Sequence, residues 1–143
     1  MECSQDPKII AELFNECRTT WNVYYAPICL DQLRDALYRY PNHFMCSLDE
    51  GCIIGHIDDC FSGGRFHIAY NDMILVSKQR CKSSFHVIAV LDKLLNEFTN
   101  WAKEQKANRI NWTMHTGNWQ AVQKLLERKY AAKQSGISLV SEF

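Results

Sequence analysis

A chain of 143 residues with 47% hydrophobic content can bury one substantial core and is too short for two ordinary domains. Sixteen Lys plus Arg balance sixteen Asp plus Glu, which excludes nucleic-acid binding by bulk charge and excludes an acidic disordered tail. No apolar run approaches the roughly 18 residues of a membrane span. The opening residues, Met1 to Asp6, lack the basic and apolar regions of a signal peptide. The expectation is a soluble single domain over residues 1–143, cytoplasmic, with no membrane partner.

The zero charge hides a division. Residues 1–72 carry five basic and eleven acidic groups, a balance of −6, and residues 73–143 carry the reverse, +6. An anionic ligand is therefore sought in the second half, although two oppositely charged halves can also simply attract each other within one fold. Seven cysteines without a Cys-x-x-Cys pair suggest a reducing compartment rather than a disulfide framework or a zinc ribbon. Cys46, Cys52, His56 and Cys60 lie close in sequence, but their irregular spacing reads as buried strand residues, and no metal is expected.

The first element follows Asp6-Pro7, an N-cap and a proline at the first helical position, with Ile9, Ile10, Leu13, Phe14 and Cys17 at helical spacing. A loop around Tyr24–Pro27 leads to Asp31, which opens a second helix with Leu33, Leu37 and Tyr40 on one face and Pro41 at its end. Short strands then begin. His43–Leu48 and Cys52–Ile57 flank the turn signal Asp49-Glu50-Gly51, and a strand from Phe66 to Val76 completes an antiparallel meander after Gly63-Gly64.

The segment Lys78–Ser84 leads into a long helix over 84–105, with Ser83 or Ser84 as N-cap. Val87, Ile88, Leu91, Leu94, Leu95, Phe98, Trp101 and Ala102 mark its apolar face. A strand over 108–115 alternates Ile110, Trp112 and Met114 with Asn111, Thr113 and His115. Thr116-Gly117-Asn118 opens a helix carrying Trp119, Val122, Leu125 and Leu126, and Gly136–Phe143 reads as a last strand. Strand, crossover helix and strand make a parallel unit. A helix start after a strand end is an anion site, because its first amides lack intrahelical partners. Here Lys78, Arg80 and Lys82 stand beside it with two serines. A solvated basic loop is the alternative.

This order of elements resembles the GCN5-related N-acetyltransferase (GNAT) superfamily over roughly residues 43–140. The best local matches are Asp49-Glu50-Gly51 with Ile53-Ile54-Gly55, Leu75-Val76 before the basic loop, and Asn118-Trp119-Gln120-Ala121 with Tyr130 downstream. The resemblance implies an α/β (α+β) fold: a mixed, mostly antiparallel sheet with a central splayed parallel strand pair flanked by helices. It implies acetyl-coenzyme A as co-substrate, with Leu75 and Val76 meeting the pantetheine arm. Arg80, Cys81, Lys82, Ser83 and Ser84 would meet the diphosphate, and Asn118 would lie near the thioester. The family often places a base on the strand before the loop, where Asp72 shares a face with Tyr70; Asn71-Asp72 also reads as a small polar break at a bulge. His115 is the second titratable candidate.

Three positions depart from the family's pattern. The loop glycines are absent in either register, Leu125 stands near the place of the proton-donating tyrosine, and Lys129-Tyr130 replaces the Gly-Phe that ends the last helix. Two function classes follow. One is an N-acetyltransferase acting on a primary amine, its acceptor unread. The other is a catalytically degenerate scaffold, similar to short bacteriophage-encoded members, serving a virion or its assembly through a protein partner or self-association, with Trp21, Tyr24 and Tyr25 as docking aromatics. A nucleic-acid binder using Trp112 and Trp119 ranks third, because those residues fit core faces.

Overall fold

The computed structural model describes residues 2–18, 27, 29–39, 42–58, 66–113, 119–135 and 141. Its elements are α1 (Pro7–Cys17), α2 (Leu30–Arg39), β1 (His43–Ser47), β2 (Gly51–Asp58), β3 (Ile68–Val76), a single 3₁₀ turn at Lys78–Arg80, α3 (Ser84–Glu104), β4 (Arg109–Asn111) and α4 (Trp119–Lys129). Both expected helix starts form as the capping chemistry dictates. The Asp6 carboxylate accepts from the Lys8 amide at 3.0 Å with Pro7 behind it, and the Ser83 hydroxyl accepts from the His86 amide at 3.1 Å.

The sheet runs β1-β2-β3-β4. The first three strands are antiparallel neighbours, and β4 returns parallel to β3 through the α3 crossover. This is the mixed α+β arrangement that the order of elements implied. The parallel strand is shorter than the 108–115 expected, and Met114 and His115 lie outside the described residues, as do Gly63, Gly64 and most of the 136–143 segment.

Alternation along the strands splits the core into two layers. Cys46, Ile53 and Ile74 pair across the sheet and face α3 and α4, where Leu91, Leu94, Leu95, Phe98 and Ala102 are nearly inaccessible. Met45, Ile54 and Met73 form the neighbouring row and face α1 and α2. Ile88 was read with the apolar face of α3 but is 46% exposed, and Val90 stands in the core instead. Cys46 and Cys52 belong to opposite layers, which separates two of the cysteines that raised the zinc question. Among the described residues no group of three His, Cys, Asp or Glu is arranged to hold a metal.

One cysteine pairing departs from the expectation. Cys3 and Cys46 form a disulfide with Cα atoms 5.4 Å apart, beside a two-way main-chain bridge between Ser4 and Ser47. It fastens the N-terminal segment to the outer edge of β1. Cys17, Cys29, Cys52 and Cys81 remain thiols. Burial pushes the Cys52 thiol far up, so it behaves as a small apolar side chain.

Gly55 marks the closest approach of sheet and helix. A Cβ there would overlap the ring of Phe98 on α3 and the carbonyl oxygen of Tyr70 on β3. Phe98 is fully buried and cannot swing away, so the helix or strand must shift. Gly55→Ala is expected to lower the unfolding free energy by about 1–3 kcal/mol, the range for overpacking a filled core. Urea denaturation measures it, and an unchanged midpoint would contradict the packing described.

Candidate active site

The backbone ladder between β3 and β4 covers three pairs and ends at Tyr70 with Asn111. Beyond it, a side chain replaces the main chain. Asn71 is 2% exposed; its Nδ2 donates to the Thr113 carbonyl at 3.0 Å, and its Oδ1 accepts from the Thr113 amide. A carboxamide thus stands in for a strand's peptide group and holds β4 a side chain's length from β3. The next residue, Asp72, is the extra residue of a β-bulge, because the register with β2 shifts between Ile54–Met73 and Gly55–Asn71.

Among the described residues, the pairing of β3 with β4 therefore ends at Asn71–Asp72. Past that point the orientation of the β3 main chain follows from the hairpin. The Gly51 carbonyl accepts from Leu48 on the β1 side and the Ser77 amide donates to Glu50. Alternation then turns the main chain of Met73, Leu75 and Ser77 toward β2, and that of Ile74 and Val76 toward the gap. Of the pair read from the sequence, Val76 presents its peptide groups to the gap. Leu75 spends its main chain on the β2 ladder and its side chain, 2% exposed, on the α1 layer.

The loop after β3 is held by side chains instead of glycines. No described residue of the 77–84 segment has a left-handed backbone, so the turn does not require glycine. Ser77, 3% exposed, donates from Oγ to Glu16 at 2.7 Å. Arg80 clamps the same carboxylate through Nε and Nη2 and donates from Nη1 to the Asp49 carbonyl at 2.9 Å. The Lys82 amide donates to His86 Nδ1 at 3.0 Å, which puts the ring proton on Nε2, 3.3 Å from Glu50. Arg80 was read as a diphosphate ligand, and its guanidinium is instead committed to α1 and the β1–β2 turn.

The groups left at the start of α3 suit an anion. Ser84 and Phe85 occupy its first two positions, where amides have no partner within the helix, and no acidic side chain lies in the first turn. Lys78, Lys82, Ser83 and Ser84 are exposed around them. Cys81 is half-buried against the core, and burial, with Glu50 second, pushes its thiol up, so it packs rather than reacts.

At the parting point stands a pair that sequence reasoning missed. His56 Nδ1 lies 2.7 Å from Asp72 Oδ2, with side chains 29% and 47% exposed. The His56 ring stacks on Tyr70 at 5.2 Å between centroids and 16° between planes. Alternation makes this possible, because Asp72 lies two residues after Tyr70, which pairs with His56 across the strands. Sixteen residues separate His56 from Asp72, and only the strand register joins them. The hairpin reading, extended to Tyr70 opposite His56, was the available signal.

His115, Asn118, Trp21, Tyr24 and Tyr25 lie outside the described residues. Leu125 packs against the core. Tyr130 donates its hydroxyl to Asp92 Oδ1 at 3.0 Å, and burial first, then Asp92, pushes its phenol well above the usual range. Trp112 packs edge-on against Phe98 at 5.5 Å, within the sheet-and-helix core.

The Arg80 and Ser77 hydrogen bonds hold the Glu16 carboxyl below the ordinary carboxylate range. A depressed folded-state value stabilises the fold above the unfolded value and is lost as pH falls through the folded one. Stability should therefore decline on acidification from about pH 5 downward more steeply in the unmodified protein than in Glu16→Gln. Chemical denaturation at several pH values measures both slopes, and parallel slopes would refute the assignment.

No protein-family model matches the chain, and no curated protein matches it. Solved structures do. Glucosamine-6-phosphate N-acetyltransferase from Arabidopsis thaliana aligns over 99% of this chain and 97% of its own, with TM-score 0.68 at 10% identity. Ribosomal-protein-alanine N-acetyltransferase from Brucella melitensis biovar Abortus 2308 aligns over the whole of both chains, with TM-score 0.66 at 15% identity. AAC(6')-Iy, solved with the bisubstrate analogue CoA-S-monomethyl-acetylneamine, covers 99% of this chain and 96% of its own, with TM-score 0.59 at 10% identity. By these alignments the chain has the fold of the GCN5-related N-acetyltransferase superfamily.

Proposed function

We propose that the protein transfers an acetyl group from acetyl-coenzyme A to a primary amine. The observation that carries this reading is the main-chain edge of Ile74 and Val76, which no strand among the described residues pairs with, leading to the bare amides of Ser84 and Phe85. A long ligand with a peptide-like arm and a diphosphate fits that sequence of groups. Ile74 and Val76 pair with the arm's amides as a strand would, and the α3 amides with Lys82, Ser83 and Ser84 take the diphosphate. Arg80 serves by fixing the loop, and Cys81 by packing beneath it. Asn118, next to the start of α4, is assigned to the thioester end.

The acceptor amine is cationic at neutral pH; it must shed one proton before it can attack a carbonyl carbon and a second as the amide forms. The acidic balance of residues 1–72 draws such a cation toward the face that carries Asp72. Proton handling is assigned to Asp72 at the parting point, with His115 as the further titratable group on the β4 side. Polyamines, aminoglycosides and lysine-bearing peptides share the required chemistry.

Calorimetry with coenzyme A tests the reading. Binding is expected, and Lys82→Ala is expected to weaken it about ten- to a hundredfold, the loss of one charge-assisted phosphate contact. Lys82 is chosen because Arg80→Ala would also release Glu16 and the loop. Absence of binding at millimolar coenzyme A would defeat the proposal and favour the scaffold reading.

A further inference from the structure

We infer that His56, held by Asp72, is the group that takes the proton from the acceptor amine. The inference rests on the acetyl-transfer reading and assigns a residue to its chemistry. Asp72 stands where the β3–β4 ladder has just ended, so a thioester held along Ile74 and Val76 would end beside it. A carboxylate alone is a weak base for an ammonium proton. Its contact with His56 alters what the site can do.

The 2.7 Å contact from Nδ1 to Asp72 Oδ2 places the ring proton on Nδ1 when the carboxylate is ionised. The lone pair of a neutral ring is then on Nε2, and a proton arriving there is stabilised by the carboxylate across the ring. Tyr70, stacked on the imidazole, fixes its plane. Partial exposure of both partners leaves the pair accessible from solvent. Asp72 is thus a positioning residue, and His56 is the one that meets the reacting amine.

The step balances without another reagent. The ammonium first gives one proton to solvent; the neutral amine nitrogen then bonds to the thioester carbonyl carbon, and a second proton passes from it to His56 Nε2. The C–S bond breaks with its electron pair on sulfur. The imidazolium then returns the proton to the thiolate through solvent, giving an amide, a free thiol and a neutral ring.

Thiol release from acetyl-coenzyme A, measured with spermidine, kanamycin and a lysine peptide as acceptors, tests this. His56→Gln should lower kcat about 10²–10³-fold, the typical share of a positioned base, with coenzyme A affinity unchanged by calorimetry. Added imidazole should restore at least about tenfold of the rate in His56→Gly. Asp72→Asn should lower kcat by about tenfold or more, and the double variant should be no slower than His56→Gln alone, because the two act as one unit. A His56→Gln rate within about threefold of the unmodified protein would overturn the inference and leave acetyl transfer standing. A fall that imidazole does not reverse, and that adds in full to that of Asp72→Asn, would make the role structural and also overturn it. No thiol release from the unmodified protein with any of the three amines would end the acetyl-transfer reading and this inference together.

Discussion

The site depends on one buried carboxamide. Parallel strands joined by main-chain bonds stay about 4.8 Å apart for as long as the ladder runs. Asn71 interrupts that ladder by placing its side chain where a peptide group would be, and both polar atoms of that side chain are used. An apolar residue there would strip partners from two main-chain groups of Thr113, at about 1–3 kcal/mol each. The strands are thus held together and held apart by the same side chain. Beyond that contact no strand among the described residues pairs with the edge of Ile74 and Val76.

A second constraint follows from the charge division. The front half supplies the Glu16 and Glu50 carboxylates and the Asp49 carbonyl, and the second half supplies Arg80 and His86. Arg80 with Glu16 consumes part of the opposite charge, and the three contacts together anchor α1 and the β1–β2 turn to the segment that opens α3. Exposed pairs of this kind stabilise little singly, but here the clamp on Glu16 has three donors and fixes a turn that lacks glycine. The cations that remain outside the network, Lys78 and Lys82, stand at the helix start. Attraction between the two halves accounts for Arg80 with Glu16, and the anion-site proposal concerns the lysines that remain.

Much of this was legible in the chain, for physical reasons. Local signals announce local structure: Asp6-Pro7 and Ser83 cap the helices they precede, and Asp49-Glu50-Gly51 turns the hairpin. The crossover from β3 to β4 followed from the strand–helix–strand order. The reading of Asn71-Asp72 as a polar break at a bulge was also sound. Partners far apart in sequence were not legible. Arg80 looked like a ligand because nothing near it in sequence showed that Glu16, 64 residues away, would claim it. His56 was weighed only as a metal ligand because its neighbours in sequence were cysteines, whereas its neighbour in space is a carboxylate. Cys3 and Cys46, 43 residues apart, were hidden in the same way.

The proton inventory around the gap carries this logic one step further. Leu125 has no proton to give, and it is packed against the core. Tyr130 has one, but its hydroxyl is bound to Asp92, a residue of α3 that also holds Lys129 at 2.6 Å. That arrangement fastens the end of α4 to α3 and raises the phenol's hold on its proton. The next residue but one closes the same corner, because the Ala132 amide donates to the Leu126 carbonyl across Ala131 at φ 53°. Tyr130 is therefore a strut, while Ala131 supplies the left-handed backbone that a terminal glycine usually provides. With Leu125 and Tyr130 both removed from acid catalysis, the proposed reaction leaves the thiolate, among the described groups, the solvent and the protonated His56–Asp72 pair to draw on, so the base that takes the amine's proton can also be the source of the sulfur's.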